Sequence, residues 1–528
     1  MPQKPIITID GFDAGMVSDI TKQIRNGFNW SAGIDIHENP GLLKVSQKLD
    51  AMAQADTTNN ITDTIYWMTK YSKNRKIYGL GYGMIYAYSL SQSGKWALIH
   101  DDSNTNWSQG MKEYNEEIFY ASNSRLGRMH NSNLSGDHDD SVTTITVTDG
   151  TNFTTSGTIT IGSEVITYTG KSTNDLTGCT RGARGSTAAE HSSNATVYGF
   201  DDDFQSLNTD YSWHPMTTYM GKLMIGAGNR IATWDGTTFV GNALVLPVGI
   251  RVKSLEVYGD KLVIGTWKGT NLSDNAEATL FTWDGVTTQY EESFTIKEFG
   301  IVALANWQNL LIVFAGRYGN IYAFNGVSLQ KVVKIIDASH YISPGAISEY
   351  KGSLVFPFDH ERGTAIYMLE KDNGGKITLN ISHILSGGST DDLRPLAMVQ
   401  IAPDVFLVSW RNVTESEYGV DTVIPGRRIT SGAYWESQEY EMQKGSQKEL
   451  LKGVEIVANP LQTSNTVVIE YKIDGEATWQ SLGTITSANQ GQVLKGINKR
   501  AKTIQIRLEL NTASGNNYSP EIRKINIY

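Results

Sequence analysis

Cys179 and His191 are the first residues of this chain whose types could do chemistry together. A thiol acts as a nucleophile only when a base lies within hydrogen-bond reach. His191 is the nominal candidate for that base. Cys179 is the only cysteine in the sequence, which excludes an intrachain disulfide and a metal site built from several cysteines.

Two acidic runs carry the oxygen ligands that calcium prefers. They are Asp137-His138-Asp139-Asp140 and Asp201-Asp202-Asp203. Neither run has the spacing of an EF-hand or a Gly-Gly-x-Gly-x-Asp repeat, so acidic turns that face water are the favoured interpretation.

The other chemistry-bearing residues form no familiar catalytic motif. The sequence has no Walker A, HExxH or GxSxG motif, and no GxGxxG follows a strand. Its nine histidines are scattered, and no two have metal-ligand spacing on one element. We therefore predict that the protein is not an enzyme and has no catalytic, metal-binding or cofactor-binding residues.

The elements that would position any site are short strands in a repeating unit. Residues 219–239 read as two strands and the start of a third, with turns at Gly228-Asn229 and Asp235-Gly236. Related units have the anchors Leu223, Leu262, Leu311 and Leu354, which recur about every 40 to 50 residues. Repeats of strands at this period predict a β-propeller with four strands in each blade.

The repeat predicts about seven blades. They lie at 61–101, 110–208, 215–249, 252–300, 301–336, 339–388 and 391–426. An eighth blade completed by the N-terminal segment stays open, and a large β-sandwich with chance hairpins is the alternative fold. The polar segments 268–278 and 359–363 sit at predicted turns, where partners would be contacted.

Composition agrees with an all-β fold of more than one domain. The 528 residues include 25 Tyr and 12 Trp, with 51 Gly and only 12 Pro. The net charge is −10, and no basic cluster predicts a nucleic-acid groove. Acidic walls would still let DNA pass through a lumen without holding it. No signal peptide or membrane-spanning segment is expected.

The strand pattern changes twice along the chain. Near residue 136 the composition shifts to Thr, Ser and Gly, with strands predicted at 143–148, 158–161 and 164–169. We interpret this segment as an insertion between two strands of one blade. The predicted division is 1–135 for an N-terminal segment and the first propeller blades, 136–198 for an inserted small β-module, 199–426 for the remaining blades, and 427–528 for a C-terminal β-sandwich.

Several stretches resemble β-propeller virion proteins of tailed bacteriophages. The N-terminal Asn-Pro-Gly-Leu-Leu-Lys-Val, residues 39–45, is similar to the start of such proteins. Ile161–Gly170 and Leu176–His191 resemble a small β-module that recurs in virion proteins. Tyr471–Gly483 and Ser519–Ile527 resemble the C-terminal domain attached to those propellers.

The resemblance to the virion module implies structural roles for its polar residues. Cys179 and His191 are then structural residues. Arg181 and Arg184 are expected to clamp the module's own carbonyls and acids, with contact to a neighbouring subunit as the alternative.

The resemblance implies a non-enzymatic structural component of a tailed-phage virion, in the tail or neck. Such a protein would assemble in a symmetric ring with copies of itself and with neighbouring tail or neck proteins, and DNA would pass through the assembly without specific binding. It would be made in the host cytoplasm and located in the virion.

A receptor- or glycan-binding virion protein is the alternative function. Stacking of Trp435 or Trp479 on a host surface glycan would support it, although core packing is the favoured role for both side chains. A glycan-cleaving propeller is the third hypothesis. It would need acids and an Arg cluster at the axis, and the sequence singles out no such set among its 55 acidic residues.

Overall fold

The computed structural model describes most of the chain as strands joined by tight turns. The described residues are 4–17, 24–39, 41–55, 60–88, 94–102, 110–207, 211, 213–268, 277–335, 342–360, 363–372, 374–386, 393–442, 447–488, 491–513 and 517–528. Among them there is no α-helix, and the only helical turn is a short 3-10 turn at Ala183–Gly185. The protein is therefore all-β, as the sequence predicts.

The first half of the described chain contains the N-terminal strands, two blades and the insertion. Its strands are β1 (Ile7–Ile9), β2 (Phe28–Ala32), β3 (Ile34–Asp35), β4 (Lys44–Val45), β5 (Gln47–Ala51), β6 (Trp67–Lys70), β7 (Ile77–Gly81), β8 (Met84–Tyr88), β9 (Trp96–Asp101), β10 (Met111–Tyr114), β11 (Glu117–Ser122), β12 (Arg125–Asn133), β13 (Thr144–Thr146), β14 (Gly157–Ile161), β15 (Glu164–Tyr168), β16 (Gly170–Ser172), β17 (Asp175–Thr177) and β18 (Thr196–Ser206).

The second half contains the other blades and the C-terminal sheets. Its strands are β19 (Met216–Tyr219), β20 (Lys222–Ala227), β21 (Arg230–Trp234), β22 (Phe239–Val245), β23 (Ile250–Tyr258), β24 (Lys261–Lys268), β25 (Ala278–Trp283), β26 (Glu292–Ile296), β27 (Ile301–Trp307), β28 (Leu310–Ala315), β29 (Asn320–Phe324), β30 (Leu329–Lys334), β31 (Ser348–Tyr350), β32 (Ser353–His360), β33 (Gly363–Lys371), β34 (Ile377–His383), β35 (Leu393–Ala402), β36 (Val405–Asn412), β37 (Glu417–Arg428), β38 (Ala433–Ser437), β39 (Tyr440–Glu441), β40 (Glu449–Ala458), β41 (Thr466–Ile473), β42 (Gln480–Ile485), β43 (Gln492–Ala501), β44 (Thr503–Asn511) and β45 (Ile522–Ile527).

The described strands include seven four-stranded antiparallel units, which form a β-propeller. Blades 1 to 7 are β6–β9, β10–β12 with β18, β19–β22, β23–β26, β27–β30, β31–β34, and β35–β37 with β5. Inner strands of neighbouring blades contact one another at most interfaces, and β35 of blade 7 contacts β6 of blade 1. The blades therefore close into a ring around an axis.

An aromatic side chain at the end of the inner strand joins each of five blades to the next, in a contact that we call the interblade latch. Its hydroxyl or indole N–H donates a hydrogen bond to a backbone carbonyl in the first turn of the following blade. The pairs are Tyr71 to Glu116, Tyr114 to Gly221, Tyr219 to Asp260, Tyr258 to Asn309 and Trp307 to Gly352.

Blade 7 is completed by a strand from the N-terminal segment. β5 pairs with β37 at the outer edge of this blade, with Leu49 opposite Val423. In blade 6 the aromatic Tyr350 takes the latch position, but its hydroxyl donates to Gln47 of β5 at 3.0 Å. The N-terminal segment thus belongs to the seventh sheet, and the described residues form no eighth sheet of this kind.

The insertion leaves blade 2 between two paired residues and has its own core. Asn133 at the end of β12 lies opposite Thr196 at the start of β18. Strands β13, β16 and β17 form a separate small sheet, while β14 and β15 extend blade 2 beyond β18. The observed strands at 144–146, 157–161 and 164–168 match the predicted positions within two residues.

The C-terminal region forms two sheets that share one hydrophobic core. One sheet has the order β1-β45-β40-β43, and the other has the order β2-β38-β44-β41-β42. Side chains from both sheets, including Ile456 and Leu508, belong to the same buried cluster. The first strands of the chain, β1 and β2, are members of these sheets, although the sequence grouped them with the first blades.

The two predicted contact segments lie mostly outside the described residues. Only the ends of 268–278 are described, and residues 361–362 of the second segment are not. No helix in the described part of the chain is long and apolar enough to cross a membrane.

Candidate functional site

The axis of the propeller contains a cavity of about 390 Å³. The inner strands of blades 1 to 6 line it. Position along these strands can be counted back from the residue at the latch position. The lining residues three positions before the latch residue form an apolar layer, which consists of Met68, Met111, Met216, Leu255, Leu304 and Ile347. The repeat therefore places equivalent residues at one level of the cavity.

The next residue along each inner strand gives a more polar layer. It consists of Thr69, Lys112, Thr217, Glu256, Ala305 and Ser348. Because all six positions are equivalent in the repeat, Lys112 and Glu256 lie at the same level, two blades apart. The cavity thus has one charge of each sign in this layer, which suits a small polar ligand better than a polyanion.

Glu256 is the best-positioned titratable group of the cavity. Burial raises its pKa, against the opposing effects of the Val257 amide and Lys112. Its Oε1 accepts hydrogen bonds from the Val257 amide at 3.0 Å and from Nδ2 of Asn306 at 3.2 Å. The cavity lining has a second acid in the exposed Glu349, but no arginine among the described lining residues. The acid-plus-Arg cluster that a glycan-cleaving propeller requires is therefore not formed by these residues.

The inserted module is organised around the buried carboxylate of Glu164. Both of its oxygens are paired, with donors at 2.7 to 3.2 Å that come from the Arg181 and His191 side chains and the Gly182 and Ala189 amides. Burial alone would raise the pKa of Glu164, but these hydrogen bonds outweigh burial and lower it. The carboxylate therefore stays ionised at neutral pH and holds the Gly-rich loop against β15.

Cys179 and the histidine that could activate it each have another hydrogen-bond partner. Cys179 is buried, and its Sγ donates to the carbonyl of Leu176 at 3.2 Å. Burial raises the pKa of this thiol. His191 is paired through Nε2 with Glu164 at 2.7 Å. This geometry agrees with structural roles for Cys179 and His191.

The clamp predicted for Arg181 is confirmed. Besides Glu164, its guanidinium donates to the carbonyls of Asp139 and Ala189. Arg184 behaves differently: its Nε is buried without a partner among the described residues, and its backbone has a φ of 52°. Arg181 and Arg184, for which we predicted one shared role, therefore differ in role.

The two acidic runs are occupied by local partners. Asp202 accepts hydrogen bonds from His100 at 2.9 Å and Tyr120 at 2.6 Å. Asp137 accepts from the Ser193 amide, and Asp139 accepts from Ser141. Over the described ranges, no three His, Cys, Asp or Glu side chains come together as metal ligands would.

The two tryptophans considered for glycan stacking lie in different surroundings. Trp435 is fully buried, with its ring centroid 5.4 Å from that of Phe12, so core packing is confirmed for it. Trp479 is half-buried and lies within 4.7 Å of both the Lys472 ammonium and the Arg507 guanidinium. Its role is a surface cation–π contact, and the prediction of core packing is wrong for this residue.

No protein-family model matches this chain, and no curated protein matches it. Among solved structures, the WD40 β-propeller domain of Doa1 is similar at 10% identity and a TM-score of 0.42, over 72% of this chain and 99% of that one. A streptogramin B lyase is similar at 11% and 0.43, over 71% and 97%. The phage phi92 endosialidase is similar at 12% and 0.29, over 63% and 68%. We transfer no activity, substrate or partner from these structures to this chain.

Sequence reasoning missed the polar layer of the cavity and the partner of Arg181. Lys112 and Glu256 look like ordinary exposed residues of alternating strands. Counting back from Tyr114 and Tyr258 would have aligned them, because both stand two residues before the latch aromatic. The Gly-Ser-Glu sequence at Glu164 indicates a turn, so the sequence gives no sign that this carboxylate is buried.

Proposed function

We propose that this protein is a non-enzymatic structural component of a tailed-phage virion, located in its tail or neck. The sequence resemblance of the inserted module and of the C-terminal region supports this assignment. The latches and the shared cores support a rigid body, which is what a virion scaffold needs. Ring assembly with further copies and contacts with neighbouring tail proteins belong to the same proposal.

The observation that carries the proposal is the construction of the inserted module. Its most distinctive residues are held together, because Arg181 and His191 both bind Glu164. The module has a buried core of its own, and it leaves the propeller between two paired residues of blade 2. A module of this kind, attached to a rigid propeller, can present a contact surface to another protein.

The size of the axial cavity restricts the path of DNA in such an assembly. A cavity of about 390 Å³ has the volume of a cube with an edge of about 7 Å. The major groove of duplex DNA alone is about 12 Å wide, so the duplex does not fit. We therefore propose that DNA passes through the centre of a ring of copies and not along the axis of a single propeller.

Labelling of purified phage particles tests this function. An antibody to this protein would be imaged on the particles by electron microscopy, and copy number would be measured by quantitative mass spectrometry. We expect label confined to the tail or neck, at a multiple of three or six copies per particle. Label spread over the capsid, or its absence from particles, would overturn the proposal, and a glycan array would then test the receptor-binding alternative.

A further inference from the structure

Lys253 is a buried amine in blade 4, five positions before the latch aromatic, where blades 1, 3 and 5 have Tyr66, His214 and Val302. It is 4% exposed and is the extra residue of a β-bulge between Val252 and Ser254. In blade 5 the equivalent bulged residue, also five positions before the latch aromatic, is the buried Val302. Bulges often re-aim side chains next to functional sites, and the apolar Val302 shows that the bulge itself does not require a charged residue.

Aromatic rings surround the amine of Lys253. Its Nζ lies 3.1 Å from the ring centroid of Trp213, 4.6 Å from that of Trp267 and 5.7 Å from that of Tyr211. The Trp213 indole N–H donates to the backbone carbonyl of Lys253 at 2.7 Å, which fixes this ring against the bulge. The enclosure is thus built by two tryptophans and a tyrosine.

A second cation adjoins this enclosure. The Arg251 guanidinium carbon lies 4.6 Å from the centroid of the same Tyr211 ring. Within the described part of the chain, no carboxylate forms an ion pair with Lys253. Burial, and after it the charge of Arg251, lowers the pKa of Lys253 well below its usual value. Both effects disfavour the charged form of this amine.

We propose that Lys253 is a nucleophilic amine that binds a small carbonyl compound covalently, as an imine. A lysine desolvated in an apolar pocket, or placed next to another cation, is activated in this way. The nitrogen lone pair attacks the carbonyl carbon, a C–N bond forms, and the oxygen takes up a proton to give a carbinolamine. Loss of one water molecule then gives the imine, so no oxidant or reductant is needed.

Arg251 indicates which carbonyl compounds fit best. Its guanidinium is a fixed positive charge beside the enclosure, and guanidinium groups bind carboxylates well. The ligand class is therefore a small aldehyde or ketone that carries a carboxylate, such as a 2-oxo acid. This site is independent of the proposed virion role, because it is built from blade 4 and the segment that leads into blade 3 and requires no assembly.

Reductive trapping tests the proposal on the full chain. The protein would be incubated with glyoxylate and cyanoborohydride at pH 7, and adducts would be mapped by peptide mass spectrometry. Lys261 and Lys268, on the neighbouring strand β24, are paired with glutamates and serve as internal controls. We expect Lys253 to be modified at least ten times faster than either. Modification at an equal or lower rate would overturn the proposal.

Two variants sharpen this test. Arg251→Gln should reduce trapping of glyoxylate at Lys253 severalfold while leaving trapping of the uncharged propanal nearly unchanged. An equal loss with both reagents would overturn the carboxylate assignment. Lys253→Met should abolish the fast phase of labelling while thermal unfolding stays cooperative. A fast phase that persists in this variant would show that another amine is responsible.

Discussion

At the scale of single residues, Glu164 shows how one buried charge organises a segment that has few large side chains. Thr, Ser and Gly dominate the inserted module, so the hydrophobic core there is small. The Glu164 carboxylate accepts hydrogen bonds from two side chains and two backbone amides. These bonds compensate for the small core, because charge-assisted hydrogen bonds are stronger than neutral ones.

Glu164→Gln is expected to destabilise the module by about 3–5 kcal/mol, since Arg181 and His191 would lose their buried partner. Hydrogen exchange of module amides, followed by mass spectrometry, measures this directly. The exposed Glu190 lies in the same loop, so Glu190→Gln is the matched control and should leave exchange unchanged. Equal protection in both variants would contradict the role given to Glu164.

The lowered pKa of Glu164 also predicts an acid-sensitive module. Its contribution to stability is complete above the unfolded pKa of about 4.3 and is lost as pH falls through the folded value. Protection of module amides should therefore decrease below about pH 4, and it should do so less in Glu164→Gln. Exchange rates corrected for intrinsic pH dependence check this expectation.

At the scale of elements, the latches show that blade contacts follow one rule. An aromatic residue ends the inner strand, and a backbone carbonyl in the first turn of the next blade accepts a hydrogen bond from it. The aromatic residue and the accepting turn are both part of the strand repeat, so each blade contains the groups that join it to its neighbours. Blade 6 departs from it, and Tyr350 contacts the N-terminal strand instead.

Tyr258→Phe removes one latch without changing the size of the ring. We expect a loss of about 0.5–1.5 kcal/mol in the free energy of unfolding, the usual contribution of one hydrogen bond. Urea denaturation measures it. Tyr290→Phe, at a half-exposed ring outside the latch positions, is the control and should lie within error of the wild type.

Leu49→Ala tests the strand that completes blade 7. Leu49 is buried in the largest shared core, so we expect a loss of about 2–5 kcal/mol. The same substitution at the exposed Leu494 should have little effect on the midpoint of urea denaturation. A midpoint unchanged by Leu49→Ala would mean that β5 contributes little to closure of the ring.

Much of the element order could be predicted from sequence, because each blade carries its own alternation and turns. The units around Leu223 and Leu311 are examples, since their hairpins pair with near neighbours in the chain. The position of β5 could not be predicted, because its partner β37 lies hundreds of residues away and nothing in Gln47–Ala51 identifies it. The bulge at Lys253 was not predicted either, because it depends on the register between β23 and β24.

At the scale of the whole molecule, most apolar side chains of the inserted module form a cluster of their own, while Val165 belongs to a core shared with blades 1 and 2. The chain leaves and re-enters blade 2 at paired residues. Contacts between the module and the propeller remain, since β14 pairs with β18 and Lys76 donates to the Gly162 carbonyl.

Replacing residues 134–195 by an Asn-Gly turn should therefore leave the propeller folded. Asn133 and Thr196 already face each other, and Asn-Gly suits a two-residue hairpin. Circular dichroism and size-exclusion chromatography should show a monodisperse β protein that unfolds cooperatively. Aggregation, or loss of the cooperative transition, would indicate that the propeller depends on the module.

The two ends of the described chain meet in one sheet, where Ile7 lies opposite Ile527. During translation β1 must wait for β45, on the order of a minute at typical elongation rates. Leu49 of β5 likewise waits for Val423. A ribosome that stops early would release a product with unpaired strand edges, which chaperones or proteases can recognise. Pairing between such distant strands thus makes the folding of β1 and β5 depend on segments that are synthesised much later.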